Sequence, residues 1–232
     1  MNDPTTLSVA AVIFDCDGVL VESEVLAGPI LAELLTDLGL PTTQVDVDRD
    51  FKGRSWEDGL SAIEARLGRA PWPDLRERYH ERLFAAFDER LQPIPGIATA
   101  LDALDAAGIP YCVASSGDHE RIRRGLHGGG LLNRFPDGAI FSVDDVAHGK
   151  PAPDLFLHAA AHMGFEPSTT AVIEDSTAGV EAGVVARMRV LGYVPPGADP
   201  EPLRAAGAEP FEQMAQLPII LDGRARRARE KA

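Results

Sequence analysis

The sequence predicts an α/β protein: a parallel sheet with helices on both faces and a helical segment inserted after the first strand. Short apolar runs at residues 10–14, 111–114, 139–141, 171–173 and 190–193 read as buried strands, since each is brief and bounded by a turn signal. Helical patterns at residues 97–107, 119–126, 154–163 and 178–186 separate the later runs. Such alternation predicts parallel strands covered on both sides. Residues 24–92 break it, with no convincing strand and helical stretches at 26–38, 56–67 and 74–89. Pro93, Pro95 and Gly96 punctuate the exit. The expected division is a Rossmann-like, doubly wound core over residues 1–23 and 93–232 with an all-helical cap domain over residues 24–92. The cap would sit above the carboxyl ends of the strands, where ligands bind in such sheets, and could open and close.

A chain of 232 residues with 45% hydrophobic and 25% charged residues is ordinary for a soluble globular protein and long enough to bury a sizeable core. The formal net charge of -14 argues against broad contact with nucleic acid or anionic membrane. An anionic substrate stays open, because a local lysine and a metal can reverse the field inside one pocket. No apolar stretch approaches the length of a membrane span, and residues 1–8 carry neither a basic region nor an apolar h-region. The two cysteines, Cys16 and Cys112, fall in apolar runs and read as small buried hydrophobes. A cytoplasmic protein, monomeric or weakly dimeric, is the expectation.

Four segments carry candidate chemistry. The first strand ends in Asp15-Cys16-Asp17-Gly18. Two carboxylates one residue apart at a strand end repel unless a cation lies between them or one holds a proton, and both arrangements suit phosphoryl transfer. Asp-x-Asp-Gly is also a common turn. The second strand ends in Ser115-Ser116-Gly117, hydroxyls able to bind a phosphate oxygen or to cap the following helix. Lys150, in Gly149-Lys150-Pro151-Ala152-Pro153, can neutralise a carboxylate nucleophile and a phosphoryl group together, though most lysines are solvated. The segment lacks the residues of a Walker phosphate loop, with Asp144 and Pro151 at the deciding positions. The fourth strand ends in Glu174-Asp175-Ser176. Asp175 could complete a hard-cation site begun by Asp15, and Glu174 could add a ligand or a hydrogen bond to Lys150. Asp175 or Ser176 could also cap the next helix.

Taken together in order and spacing, these segments resemble the haloacid-dehalogenase superfamily, in its helical-cap branch of phosphatases, β-phosphoglucomutases and phosphogluconate phosphatases. Asp15-Cys16-Asp17-Gly18, Ser115, Lys150 and Glu174-Asp175 match its four motifs. The resemblance implies that Asp15 attacks phosphorus to form an aspartyl-phosphate. It implies that Asp17 protonates the leaving alcohol and then activates water, and that Ser115, Ser116 and Lys150 hold the phosphate. Mg2+ would be held by Asp15, Asp17 through its backbone carbonyl, and Asp175, aided by Glu174. Glu22 and Ser23 resemble the hinge into the cap. The expected activity is Mg2+-dependent hydrolysis of a small phosphorylated metabolite, a sugar or sugar-acid phosphate such as 6-phosphogluconate. A sugar phosphomutase is the alternative, and a non-catalytic metabolite-binding protein a third reading that the intact motifs oppose.

The mutases of this branch carry a cap histidine about a dozen residues after the nucleophile, where Ala27 stands here. Their cap arginine after a Gly-x-Ser segment is replaced by a tryptophan in Gly53-Arg54-Ser55-Trp56. Both differences favour a hydrolase. Trp56 is expected to bind substrate; Arg54 or Lys52 would contact an anionic substrate group or lie on the solvated cap surface. Arg187 stands where relatives usually have glycine at a helix end. His158 and His162 have metal-pair spacing, but Ala159 replaces the glutamate of a zinc protease, so a plain helix face is expected. His148 reads as a loop residue, Gly128-Gly129-Gly130 as a helix stop, and residues 224–231 as a basic terminus.

Overall fold

Six parallel strands form the sheet: β1 (Ala11–Phe14), β2 (Tyr111–Ser115), β3 (Ile140–Ser142), β4 (Thr170–Glu174), β5 (Arg189–Tyr193) and β6 (Glu209–Phe211), in the order β3-β2-β1-β4-β5-β6. The computed structural model describes residues 9–51 and 56–222. Lys52, Arg54 and the basic terminal residues therefore lie outside the described residues. Strand residues alternate between two cores, as a period of two requires. Val12, Phe14, Val113, Ala171, Ile173 and Leu191 face one cluster, and Ile13, Cys112, Ala114, Val172 and Val190 the other.

Helices α5 (Ile97–Ala107), α6 (His119–Gly128), α7 (Asp154–Met163) and α8 (Thr177–Val185) alternate with the strands, as the apolar periodicity predicts. Helix α7 packs on β1, β2 and β3, and α8 on β4 and β5. The glycine run ends α6: Gly129 caps it and Gly130 follows with φ 70°. Between β1 and α5 come the four helices of the insert, cap helices one to four in chain order: α1 (Glu24–Asp37), α2 (Gln44–Asp50), α3 (Trp56–Leu67) and α4 (Leu75–Arg90). The chain enters and leaves this insert side by side. Glu22 N–H donates to Gln92 O at 2.9 Å, and Ile94 N–H to Leu20 O at 2.9 Å.

The strand β6 and three short helices depart from expectation. β6 has three residues with Pro210 in the middle, and proline confines a strand to a sheet edge and hides its signal. The second cap helix has seven residues and buries only Val47. Its mark is a capping box between Thr43 and Asp46, with aspartate in place of the usual glutamate or glutamine. The helices Glu201–Ala206 and Leu217–Leu221 span little more than a turn each.

Helix α8 closes in a Schellman motif. Met188 N–H donates to Gly183 O at 3.1 Å and Arg187 N–H to Val184 O at 3.0 Å, which places Arg187 at φ 60°. It is the one non-glycine residue with positive φ among the described residues. A side chain in this region costs about 1–2 kcal/mol, against about 0.5–1 kcal/mol of extra backbone entropy for glycine. Arg187→Gly is therefore expected to stabilise the protein by about 0.5–1 kcal/mol. Urea unfolding would show a higher midpoint at unchanged slope.

Candidate active site

The strand order reverses direction between β1 and β4, and that switch point is where an open α/β sheet forms a crevice. Asp15 follows the last residue of β1, its N–H bonded to Ile173 O at 2.9 Å. Glu174 ends β4 and Asp175 follows it. The first turn after β1 needs Gly18 at φ 76°, and a Cβ there would collide with the Asp175 carboxylate. Glycine thus lets the two acidic loops meet.

Lys150 reaches into this crevice from the loop before α7 and is 5% exposed. Its ammonium donates to Asp15 Oδ1 at 2.6 Å, Glu174 Oε1 at 2.6 Å and Ala114 O at 3.2 Å. All three donors of the group are committed. The other oxygen of Glu174, Oε2, accepts from Asp175 N–H, Ser176 N–H and the Ser176 hydroxyl, each at 2.9 Å. Ser176 in turn caps α8 through Gly179 N–H at 3.1 Å. Ser115 ends β2, is buried, and its hydroxyl accepts from Gly117 N–H at 3.2 Å. Ser142, at the end of β3, donates to Gly117 O at 2.8 Å and steadies that loop.

The charges are unbalanced. Burial pushes the Asp15 carboxyl well above the usual carboxylate range; Lys150 opposes this, and Glu174 and Asp175 add to it. Burial also works to lower the Lys150 pKa, but Asp15 and Glu174 outweigh it and the pKa rises. The ammonium is charged and shared between two carboxylates with a third, Asp175, close to Asp15, so a further cation would favour ionised Asp15. Among the described residues no three His, Cys, Asp or Glu side chains converge closely enough to hold a metal by themselves.

The hydrogen bonds around the crevice distinguish the expected ligands from one another. Glu174 is occupied by Lys150 and Ser176, which leaves the second of its two expected roles. The Asp17 carboxylate lines the cavity with each oxygen held: Oδ1 accepts a short bond from the Ser23 hydroxyl, and Oδ2 accepts from Arg121 Nε at 3.0 Å. Asp15 and Asp175 are the carboxylates that could hold a cation. An all-oxygen set of one or two carboxylates completed by a carbonyl, waters and a phosphate oxygen fits Mg2+.

The insert forms the opposite wall of the cavity. Trp56 and Tyr79 both line it and stack at 5.4 Å between ring centres. Ser116 and Ala27 line it as well. Arg76 donates to Asp118 at 2.8 Å and His80 lies 3.4 Å from the same carboxylate. Arg121, Tyr79, Asp118, Arg76 and His80 were not singled out by the sequence. Arg121 is one of three arginines in the same short helix, and nothing in the pattern marks it as the buried one. Cys16 and Cys112 are buried free thiols whose pKa values burial pushes up, so thiolate chemistry is disfavoured. The rings of His158 and His162 lie tilted 4.1 Å apart between centres on α7, outside the cavity lining.

A family model for haloacid dehalogenase-like hydrolases matches residues 9–187. The chain belongs to the haloacid dehalogenase-like hydrolases. It is 29% identical over 219 residues to the 6-phosphogluconate phosphatase of Escherichia coli (strain K12), covering 93% of this chain and 96% of that protein. It is 33% identical over 195 residues to the β-phosphoglucomutase of Bacillus subtilis (strain 168), covering 78% and 82%. A family hydrolase from Deinococcus radiodurans, solved with bound phosphate and sodium, superposes with a TM-score of 0.74 at 30% identity, covering 95% of this chain and 98% of its own. As a haloacid dehalogenase-like hydrolase the chain is an enzyme, and its six-stranded parallel sheet is the expected Rossmann-like core. No helix among the described residues is long and apolar enough to cross a membrane.

Asp118 caps α6 by accepting from Arg121 N–H at 2.8 Å. Burial works to raise its carboxyl, but that N–H, Arg76 and His80 outweigh it and hold it below the usual range. A depressed carboxylate stabilises the fold above its unfolded pKa, near about 4, and loses that contribution as pH falls through its folded value. Asp118→Asn keeps the cap but not the charge. The variant is expected to be less stable by about 1 kcal/mol at pH 7, with the difference shrinking as pH falls from the unfolded value through the lower folded one in a pH series of chemical denaturations.

Proposed function

We propose that this phosphoric monoester hydrolase acts on a small phosphorylated sugar or sugar acid, such as 6-phosphogluconate, through an aspartyl-phosphate on Asp15. The observation that carries the reading is the Lys150 ammonium held 2.6 Å from both Asp15 and Glu174 at the switch point of the sheet, with Ser115 at the end of the neighbouring strand. A buried carboxylate beside a fixed ammonium is set to attack an anion without repelling it. The relative from Escherichia coli, named for 6-phosphogluconate, supports the substrate class. The phosphate bound in the Deinococcus structure supports the ligand. The two buried free thiols fit a reducing compartment such as the cytoplasm.

In the first half-reaction an Asp15 oxygen attacks phosphorus. The bond from phosphorus to the leaving oxygen breaks, and its electron pair goes to that oxygen, which takes a proton from Asp17. In the second, water attacks phosphorus and gives a proton back to Asp17. The bond from phosphorus to Asp15 breaks, restoring the carboxylate and releasing inorganic phosphate. Ser115 and Ser116 bind phosphate oxygens, and Lys150 offsets charge on Asp15 and the phosphoryl group. Asp15, the Asp17 carbonyl and Asp175 would hold Mg2+, which supplies charge neutralisation at the phosphoryl oxygens. Residues 24–92 would form the cap that excludes bulk water during transfer.

The relative from Bacillus subtilis keeps a mutase as the second reading. Ala27 and Trp56 in the cavity wall favour hydrolysis, since neither offers the polar group that the mutases carry at those places. Assay of a panel of phosphate esters decides: free phosphate supports the hydrolase, and an isomerised sugar phosphate that needs a bisphosphate activator supports the mutase.

Asp15→Asn is expected to lower kcat by at least about 10^3-fold while the protein stays folded. Retention of more than about a tenth of wild-type turnover, in protein free of host phosphatase, would remove Asp15 from the role of nucleophile. Excess chelator should abolish phosphate release and Mg2+ should restore it; full turnover in chelator would rule out the metal site.

A further inference from the structure

Arg121 sits in the first turn and a half of α6, and no step above uses it. Its side chain is 16% exposed and that of Asp17 18%. A guanidinium this deep requires a partner, because burial of an unpaired charge is strongly unfavourable. It has two. Nε donates to Asp17 Oδ2 at 3.0 Å, and Nη1 donates to the Tyr79 hydroxyl at 3.0 Å. Burial works against its charge, yet Asp17, Tyr79 and Glu24 keep it protonated. With Ser23 on Oδ1, the Asp17 carboxylate has each oxygen held by a different donor, one from the peptide entering the insert and one from α6. A carboxylate tethered at both oxygens keeps one orientation. Tyr79 belongs to the fourth cap helix, so the guanidinium is itself aligned by the insert.

We propose that Arg121 is a positioning residue for Asp17: it fixes the carboxylate in the orientation from which protons pass to the leaving oxygen and from the attacking water, and Tyr79 fixes Arg121. The proposal rests on the phosphatase reading of the site. Its rival is an ion pair that only holds the fold together. The two roles separate in the leaving group. A nitrophenolate departs without a proton, whereas the alkoxide of a sugar needs one. Water activation is needed for both esters. With Asp17 misdirected, an aryl ester should phosphorylate Asp15 at a normal rate and then stall, while a sugar ester should stall before its alcohol leaves.

The test compares wild type, Arg121→Met, Arg121→Lys and Tyr79→Phe in rapid mixing with p-nitrophenyl phosphate and with the sugar phosphate that the wild type hydrolyses fastest. For Arg121→Met the first turnover should release about one nitrophenolate per active site, at a rate within about threefold of wild type, before a steady rate lower by about 10^2-fold. With the sugar phosphate, kcat should fall about 10^2-fold without a burst, at a KM within about threefold of wild type. Arg121→Lys should recover about tenfold of the loss by keeping the charge. Tyr79→Phe should show the same pattern at about three- to tenfold, and it carries the test alone if Arg121→Met does not fold. A burst that falls in step with the steady rate would assign Arg121 to folding of the pocket and overturn the proposal. So would unchanged turnover of both esters. Wild-type protein that releases phosphate from no ester would overturn the phosphatase reading, and this proposal with it.

Discussion

The Lys150 ammonium ties three neighbouring strands together at one point. Its donors end on Asp15 after β1, Glu174 at the end of β4 and Ala114 near the end of β2, and those strands are adjacent in the sheet. The position of each acidic group follows from it. Glu174 bonds Lys150 with one oxygen, and its other oxygen orders the turn into α8, including the N–H of Asp175. A buried ion cluster of this kind is weak evidence for stability, since desolvation offsets most of the attraction. Removing one member is far more costly than never having built the cluster, because the rest are left uncompensated. The arrangement therefore fixes geometry more than it adds stability, and what it fixes is a carboxylate next to a cation, shielded from water.

The second constraint is the seam between the insert and the core. The fourth cap helix packs against α6, and the glycines of α6 bring the two close. A Cβ at Gly128 would stand 2.9 Å from Phe87 O, and one at Gly125 would touch the Phe87 ring at 3.8 Å. Polar groups cross the same seam nearer the cavity, with Arg76 and His80 on Asp118 and Tyr79 on Arg121. Opening the cap would separate charges that lie partly buried. The apolar end near Phe87 and the paired peptides at Glu22 and Gln92 would then act as the fixed side of the motion, with the polar end as the side that parts.

Much of this was legible in the sequence because strand ends announce themselves. An apolar run that stops at Asp15, Ser115 or Glu174 places its last polar residue at the carboxyl edge of a parallel sheet whatever the details of packing. The expected strands and the helices of the core formed where the periodicity put them. The shortest elements escaped, since β6 and the helix Gln44–Asp50 carry too few residues for a period to show. The Asp17 environment escaped for a different reason. Arg121 lies about a hundred residues away in the chain and looks like its exposed neighbours Arg123 and Arg124. Only the crossing of α6 under the insert makes it a buried partner. The same holds for Glu174, whose choice between a metal and Lys150 depends on where Ser176 and Gly179 come to rest.

A net charge of -14 is unfavourable for an enzyme that must bind an anion, and the structure shows how local placement answers it. Charges more than about 8 Å away are screened at physiological salt, so the acidic surface slows the approach of a phosphate ester more than it weakens the bound state. Inside the cavity, among partly buried groups, nearby charges dominate. There Lys150 would face a phosphoryl group from the core, while Arg76 and Arg121 are held against Asp118 and Asp17. Pairing would keep those two arginines from drawing an anion out of place, and would leave Lys150 and any bound cation as the positive charges that a phosphoryl group meets. On the proposed mechanism, anion binding would thereby be confined to the spot where Asp15 can attack.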